Sequence, residues 1–146
     1  MDKIVLHGRG VIPGIAEGIA LVCPRSITGW AGVDPATGVI TDFANEHRGT
    51  SIKDRILVLP GSKGSNGWSC YFSACHVAGT DPAGWMFTRI DSAAGVASAV
   101  MNIPTVVDFP DTEDPCKWIQ TGDWVRIDGT SGIVEVTRQS DSPENA

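Results

Sequence analysis

No apolar run in the chain approaches the roughly 20 residues that a membrane-spanning helix needs. The opening "MDKIVLHGRG" lacks the hydrophobic core of a secretory signal, so a cytoplasmic location is expected and no membrane partner. Basic residues are few and scattered, and the formal net charge is -6. A nucleic-acid binder concentrates Lys and Arg in a patch, so no nucleic-acid partner is expected either. None of the four cysteines, Cys23, Cys70, Cys75 and Cys116, has the Cys-x-x-Cys spacing of a zinc or redox site. They read as buried thiols, and this chain is not expected to hold a metal or a cluster by itself. Hydrophobic residues still make up 42% of the 146, enough for one folded domain with a core.

Short segments rich in Val and Ile predict strands over 3–6, 18–22, 55–59, 85–90, 105–109, 123–127 and 133–136. Helices are predicted over 69–77 and 93–101, the second opened by Asp91 or Ser92 as N-cap. The middle of the chain thus alternates strand, loop, helix, strand, helix, strand, the pattern of a parallel βαβαβ layer. Hairpin-like strands at both ends add a second layer, so the fold class is α/β with three β/β/α layers. Residues 27–48 read as a long loop. The final "RQSDSPENA" is polar and reads as a frayed tail.

The most concentrated signal is "PGSKGSNGWSC", Pro60 to Cys70, which follows the apolar run Ile56-Leu57-Val58-Leu59. It departs from the P-loop, because Gly67 is followed by Trp68 and not Lys. It departs from the dinucleotide fingerprint, because Gly61, Gly64 and Gly67 fall at G-x-x-G-x-x-G. Gly64-Ser65-Asn66-Gly67 is one residue short of the G-x-S-x-G nucleophile elbow. A glycine-rich turn running into a helix nevertheless offers N–H donors and a positive dipole end to an anion. The alternative is a tight turn that uses glycine for its backbone freedom. Ser62, Ser65 and Ser69 are the candidate reactive hydroxyls. A serine alkoxide becomes accessible only where donors stabilise it and water is excluded. His76 reads as a packing or capping residue, while His7 and His47 lie near glycines where either role is open.

Three motifs in order, "ITGWAGVDPATGVI" (27–40), "ILVLPGSKGSNGWS" (56–69) and "AAGVASAVMNIPTVV" (93–107), resemble the small subunit of aconitase X, the swivel domain of the aconitase superfamily. The resemblance covers roughly residues 5 to 137. It implies an aconitase-like swivelling domain over 1–137 with a flexible tail over 138–146. It implies a dehydratase of two chains, a heterodimer in which the large subunit carries an iron–sulfur cluster and this chain does not. The family's swivel loop reads Gly-Ser-Ser-Arg, and Gly64-Ser65 matches its Gly-Ser. Ser65 is then the candidate catalytic base that takes the proton α to the substrate carboxylate. The family arginine falls at Gly67, so anion binding passes to Lys63, to the backbone around Gly64, Asn66 and Gly67, or to the partner. Asp34 and Arg48 are further substrate-binding candidates. Against these stand an Asp-Pro turn opener for Asp34 and a solvated surface charge for Arg48.

Family members dehydrate cis-3-hydroxy-L-proline or mevalonate 5-phosphate. The acidic balance and the sparse cations of the loop favour the zwitterionic imino acid, with the phosphate ester as the alternative. Two other classes compete. A swivelling carrier would need a reactive histidine on a turn, for which "HGRG" and "CHVAGT" are weak versions. A stand-alone enzyme lacks both a triad and a clustered metal set. A half-enzyme would expose an apolar patch to its partner, and Trp30, Trp68 and Trp85 are its candidates.

Overall fold

The computed structural model describes residues 3–28, 32–63 and 67–138. Strands β1 (Lys3–His7), β2 (Arg9–Ile12), β3 (Ile15–Val22), β4 (Ile56–Leu59), β5 (Gly84–Phe87), β6 (Thr105–Val107), β7 (Trp124–Asp128) and β8 (Ile133–Thr137) alternate with helices α1 (Trp68–Ala78), α2 (Ser92–Met101) and the short α3 (Pro115–Trp118). The strands join in the order β1-β8-β7-β3-β4-β5-β6-β2. The two layers meet along β3. Its first half, Ile15–Ile19, pairs antiparallel with β7, and its second half, Ala20–Val22, pairs parallel with β4.

Alternation along the parallel strands sorts the core into two. Leu57, Leu59, Trp85, Phe87 and Val107 face α1 and α2. Ile56, Val58, Met86 and Val106 face the other way, against Leu6, Val125, Ile127, Val134 and Val136 of the antiparallel layer. Strands buried on both faces read as continuous apolar runs, which is why "ILVL" is so plain in the sequence. The β/β/α expectation therefore holds, with both helices on one face. The long segment after β3 carries no named strand or helix, but Ile27, Val33, Ile40 and Ile52 bury themselves beside the helices.

Several boundaries differ from expectation. β2 was not predicted, because "RGVI" is short and begins at a glycine-flanked arginine. The strand over 85–90 stops at Phe87 and the one over 105–109 at Val107. Asp108 takes φ 57, which ends β6, and its carboxylate accepts from the Ile90 N–H at 2.9 Å. Arg138, assigned to the tail, is held by the Trp118 carbonyl at 2.8 Å and by Asp123 at 3.2 Å. The rest of the predicted tail lies outside the described residues. Trp68 and Trp85, read as interface candidates, are fully buried. They form one aromatic cluster with Phe72 and Phe87, with ring centroids 4.6 to 6.1 Å apart. Trp30 lies outside the described residues.

The two ends of the strand order, β1 and β2, are joined by Gly8 alone, so the sheet curls towards closure there. The turn between β7 and β8 presses on this seam. Gly129 lies against the Ile12 carbonyl, where a Cβ would overlap backbone. Gly129→Ala is expected to cost about 2 kcal/mol. A Cβ on Gly95 in α2 would meet only the Ile90 side chain, at 3.6 Å, an ordinary contact, and Gly95→Ala is expected to stabilise by about 0.5–1 kcal/mol through helix propensity. Urea unfolding of the two variants beside the parent checks both signs.

Candidate functional site

The parallel strands share one carboxyl edge, and the segments that leave it converge, as ligand-binding loops do in such sheets. The Cys23 N–H donates to Val58 O at 2.9 Å, so the chain leaving β3 runs beside the chain leaving β4. The Ser26 hydroxyl donates to Gly61 O at 2.5 Å. Ser62 donates twice to Asp91, from its N–H and from its hydroxyl, both at 2.7 Å. Asp91 in turn accepts from the Ala94 N–H at 3.0 Å and caps α2, as the sequence predicted. Burial alone would raise the Asp91 carboxyl. The Ala94 and Ser62 N–H groups and the Ser62 hydroxyl more than offset it and hold it below the ordinary aspartate value. At the far end of the loop, Trp68 Nε1 donates to Ile27 O at 2.9 Å.

Lys63 and Gly67 bracket the centre of this loop. Gly67 is the N-cap residue of α1 and, having no side chain, supplies no side-chain cap. Ser65, Gly64 and Asn66 lie outside the described residues. Ser62 is committed to Asp91, which separates its role from the one expected of Ser65. Arg48 stands on a ledge at the same edge: Asn45 Nδ2 donates to Ser26 O at 3.1 Å, and His47 Nε2 lies 2.8 Å from Val22 O. Its guanidinium lies 4.0 Å from the Phe43 ring centroid, and Phe43 is 84% exposed.

Among the described residues, the Asp34 carboxylate bonds within its own turn. Its carboxylate accepts from the Ala36 N–H at 3.0 Å and the Thr37 hydroxyl at 3.2 Å, closing an Asp-Pro turn. The next residue, Pro35, accepts from the Thr80 hydroxyl just beyond the C-terminus of α1. The turn-opener reading of Asp34 is the one its hydrogen bonds support.

One cation escaped the sequence reading. Arg25 follows β3 and joins Phe43 and Asn45 around an open hollow of about 420 Å³. It makes no ion pair among the described residues. The signal was present as a basic residue just after a strand, but only the parallel pairing of β3 with β4 puts it beside the Gly/Ser loop. The three histidines each have a partner: His7 with Glu113 at 2.9 Å, His47 with Val22 O, and His76 with Asp81 at 2.7 Å.

Residues 5–136 match the family model described as the aconitase X swivel domain. This chain belongs to the aconitase X swivel domain family. It is 35% identical over 136 residues to the phosphomevalonate dehydratase small subunit of Pyrococcus furiosus, covering 93% of this chain and 98% of that one. It is 31% identical to the subunit of the same name from Methanocella arvoryzae, covering 90% and 98%. The crystal structure of Thermococcus kodakaraensis aconitase X in its holo-form superposes with a TM-score of 0.83 at 31% identity, covering 92% of this chain and 99% of that one. These relatives bear the name of the phosphate-ester activity, the alternative in the sequence reading, and not that of the hydroxyproline activity preferred there from overall charge.

An iron–sulfur cluster is held by three or four thiolates gathered together. Burial pushes the Cys23 and Cys116 thiols up to about 11 and raises Cys75 as well. No three His, Cys, Asp or Glu side chains converge among the described residues. The donor set therefore does not fit an iron–sulfur cluster. No helix among the described residues is long and apolar enough to cross a membrane. Cys70 is exposed. At pH 8, iodoacetamide is expected to label Cys70 first and Cys23, Cys75 and Cys116 at least tenfold more slowly, read by peptide mass spectrometry; equal labelling would contradict the burial.

Proposed function

We propose that this chain is the small subunit of a two-chain hydro-lyase that dehydrates mevalonate 5-phosphate, with Ser65 as the base and the iron–sulfur cluster on the large subunit. The observation that carries the reading is the match, over nearly their whole length, to subunits named for that activity. The site supports it chemically. The proton leaves the carbon next to the carboxylate, and its electron pair becomes the new C=C bond. The β-hydroxyl departs, and with a proton it leaves as water. A serine alkoxide suits this task only among donors and away from water, and the N-terminus of α1 under a closing partner offers both.

The phosphate needs positive charge that net charge does not report. Arg25, Lys63 and Arg48 make no ion pair among the described residues and leave the same edge of the sheet as the loop. Local cations decide anion binding within about 8–10 Å, the screening length in physiological salt. Arg25 is the guanidinium we assign to the phosphate, in place of the family arginine that Gly67 replaces.

The decisive experiment purifies the chain with a large aconitase X subunit and assays mevalonate 5-phosphate beside cis-3-hydroxy-L-proline. Turnover of the phosphate ester, lost when either chain is omitted, is expected. Turnover of the imino acid alone would restore the other substrate. Ser65→Ala in the assembled enzyme is expected to lower kcat at least a hundredfold, within the usual span for a lost general base, about 10²–10⁴. A loss under threefold removes the base assignment. Arg25→Ala is expected to raise KM about tenfold, equivalent to about 1.4 kcal/mol, with kcat little changed. An unchanged KM would return the phosphate to Lys63, Arg48 or the partner.

A further inference from the structure

Asp91 does two jobs with one carboxylate. Its Oδ1 accepts from the Ala94 N–H at 3.0 Å and from the Ser62 hydroxyl at 2.7 Å, while its Oδ2 accepts from the Ser62 N–H at 2.7 Å. The first bond fixes the N-terminus of α2. The other two fasten residue 62, three residues before Ser65, to that helix. The neighbouring Gly61 is held from the opposite side by the Ser26 hydroxyl, and a Cβ there would come within 3.0 Å of the Asp91 carboxylate. Beyond the loop, Trp68 is locked by its bond to Ile27 O and by full burial. Residues 61, 62 and 68, which flank the 64–66 segment, are thus tied to rigid parts of the fold, and among the described residues the tie to α2 runs through Asp91. A charged acceptor with two donors from one residue makes a directional staple, stronger than neutral hydrogen bonds.

We propose that Asp91 is a positioning residue for the dehydration, holding the Gly/Ser loop at the height that presents Ser65 to the substrate. The proposal rests on the reading of Ser65 as base. Asp91 touches neither substrate nor reacting atoms; it acts through Ser62. A shift of about 1 Å in such a loop can cost about a hundredfold in rate, because the reacting atoms must start at near-attack distance.

Asp91→Asn separates this role from simple stability. Asn caps helices as well as Asp does, so Oδ1 keeps Ala94 and the Ser62 hydroxyl. The amide NH₂ then meets the Ser62 N–H, donor against donor, and the staple opens. In the assembled enzyme with mevalonate 5-phosphate, kcat is expected to fall at least tenfold with KM within threefold and the melting temperature within a few degrees. Ser62→Ala, which loses only the hydroxyl bond, is expected to be milder. The effects of Asp91→Asn and Ser65→Ala are expected to be non-additive, the double variant turning over at the rate of Ser65→Ala alone, because a misplaced base and an absent base are the same loss. Multiplying effects would mean a general structural role and overturn the proposal. So would an Asp91→Asn kcat within threefold of the parent while Ser65→Ala is inactive. A Ser65→Ala enzyme that retains turnover would sink the base reading instead. Amide exchange then judges the staple without any assay: the Ser62 amide is expected to exchange at least tenfold faster in Asp91→Asn, and an unchanged rate would refute the staple itself.

Discussion

The placement of Trp68 is the constraint on which the rest of the site depends. Its ring is buried without remainder among Phe72, Trp85 and Phe87, and its N–H is fixed on the Ile27 carbonyl. A buried indole N–H needs a partner, and the one it finds belongs to the segment that leaves β3. One side chain therefore fixes the start of α1 against the sheet and against the long loop together. Ser26 and Asp91 complete the constraint from the two sides of the Gly/Ser loop.

Overall charge says little about where local charge lies. The surplus of carboxylates is largely spent on the fold's own donors and cations. Asp91 caps α2, Asp108 receives Arg9 and Ile90 N–H, Glu135 receives Lys3 and Arg126, and Asp42 receives Thr28 and Ala44 N–H. The cations left without such partners include Arg25, Arg48 and Lys63, all issuing from one edge. A domain can thus be acidic in sum and still offer an anion-binding rim, because solvent and salt screen the distant charges.

Legibility followed the source of each signal. β4 and the start of α2 were plain, since "ILVL" carries the double burial and Asp91 the cap within a few adjacent residues. β2 was missed because its stability comes from pairing with β6, seven dozen residues and more away in sequence, and nothing local marks "RGVI" as a strand. Trp68 and Trp85 were offered to a partner because an aromatic residue reads alike in a core or on a surface; only the packing of α1 on β5 separates the two. Asp34 looked equally apt as ligand or turn opener, and only the folded turn shows its carboxylate accepting from Ala36 N–H and the Thr37 hydroxyl. Ser65 is proposed on the family motif alone.

The sequence by itself determined the α/β order, the Gly/Ser turn into a helix, the α2 cap and the family. These are local patterns, set by residues within a turn or two of each other. Tertiary structure alone decided which residues meet at that edge: that Arg25 shares a hollow with Phe43 and Asn45, that Ser26 holds Gly61, and that Asp91 fastens Ser62. The reason is physical. The parallel pairing of β3, β4 and β5 brings together segments separated by tens of residues, and no local propensity encodes a register between them.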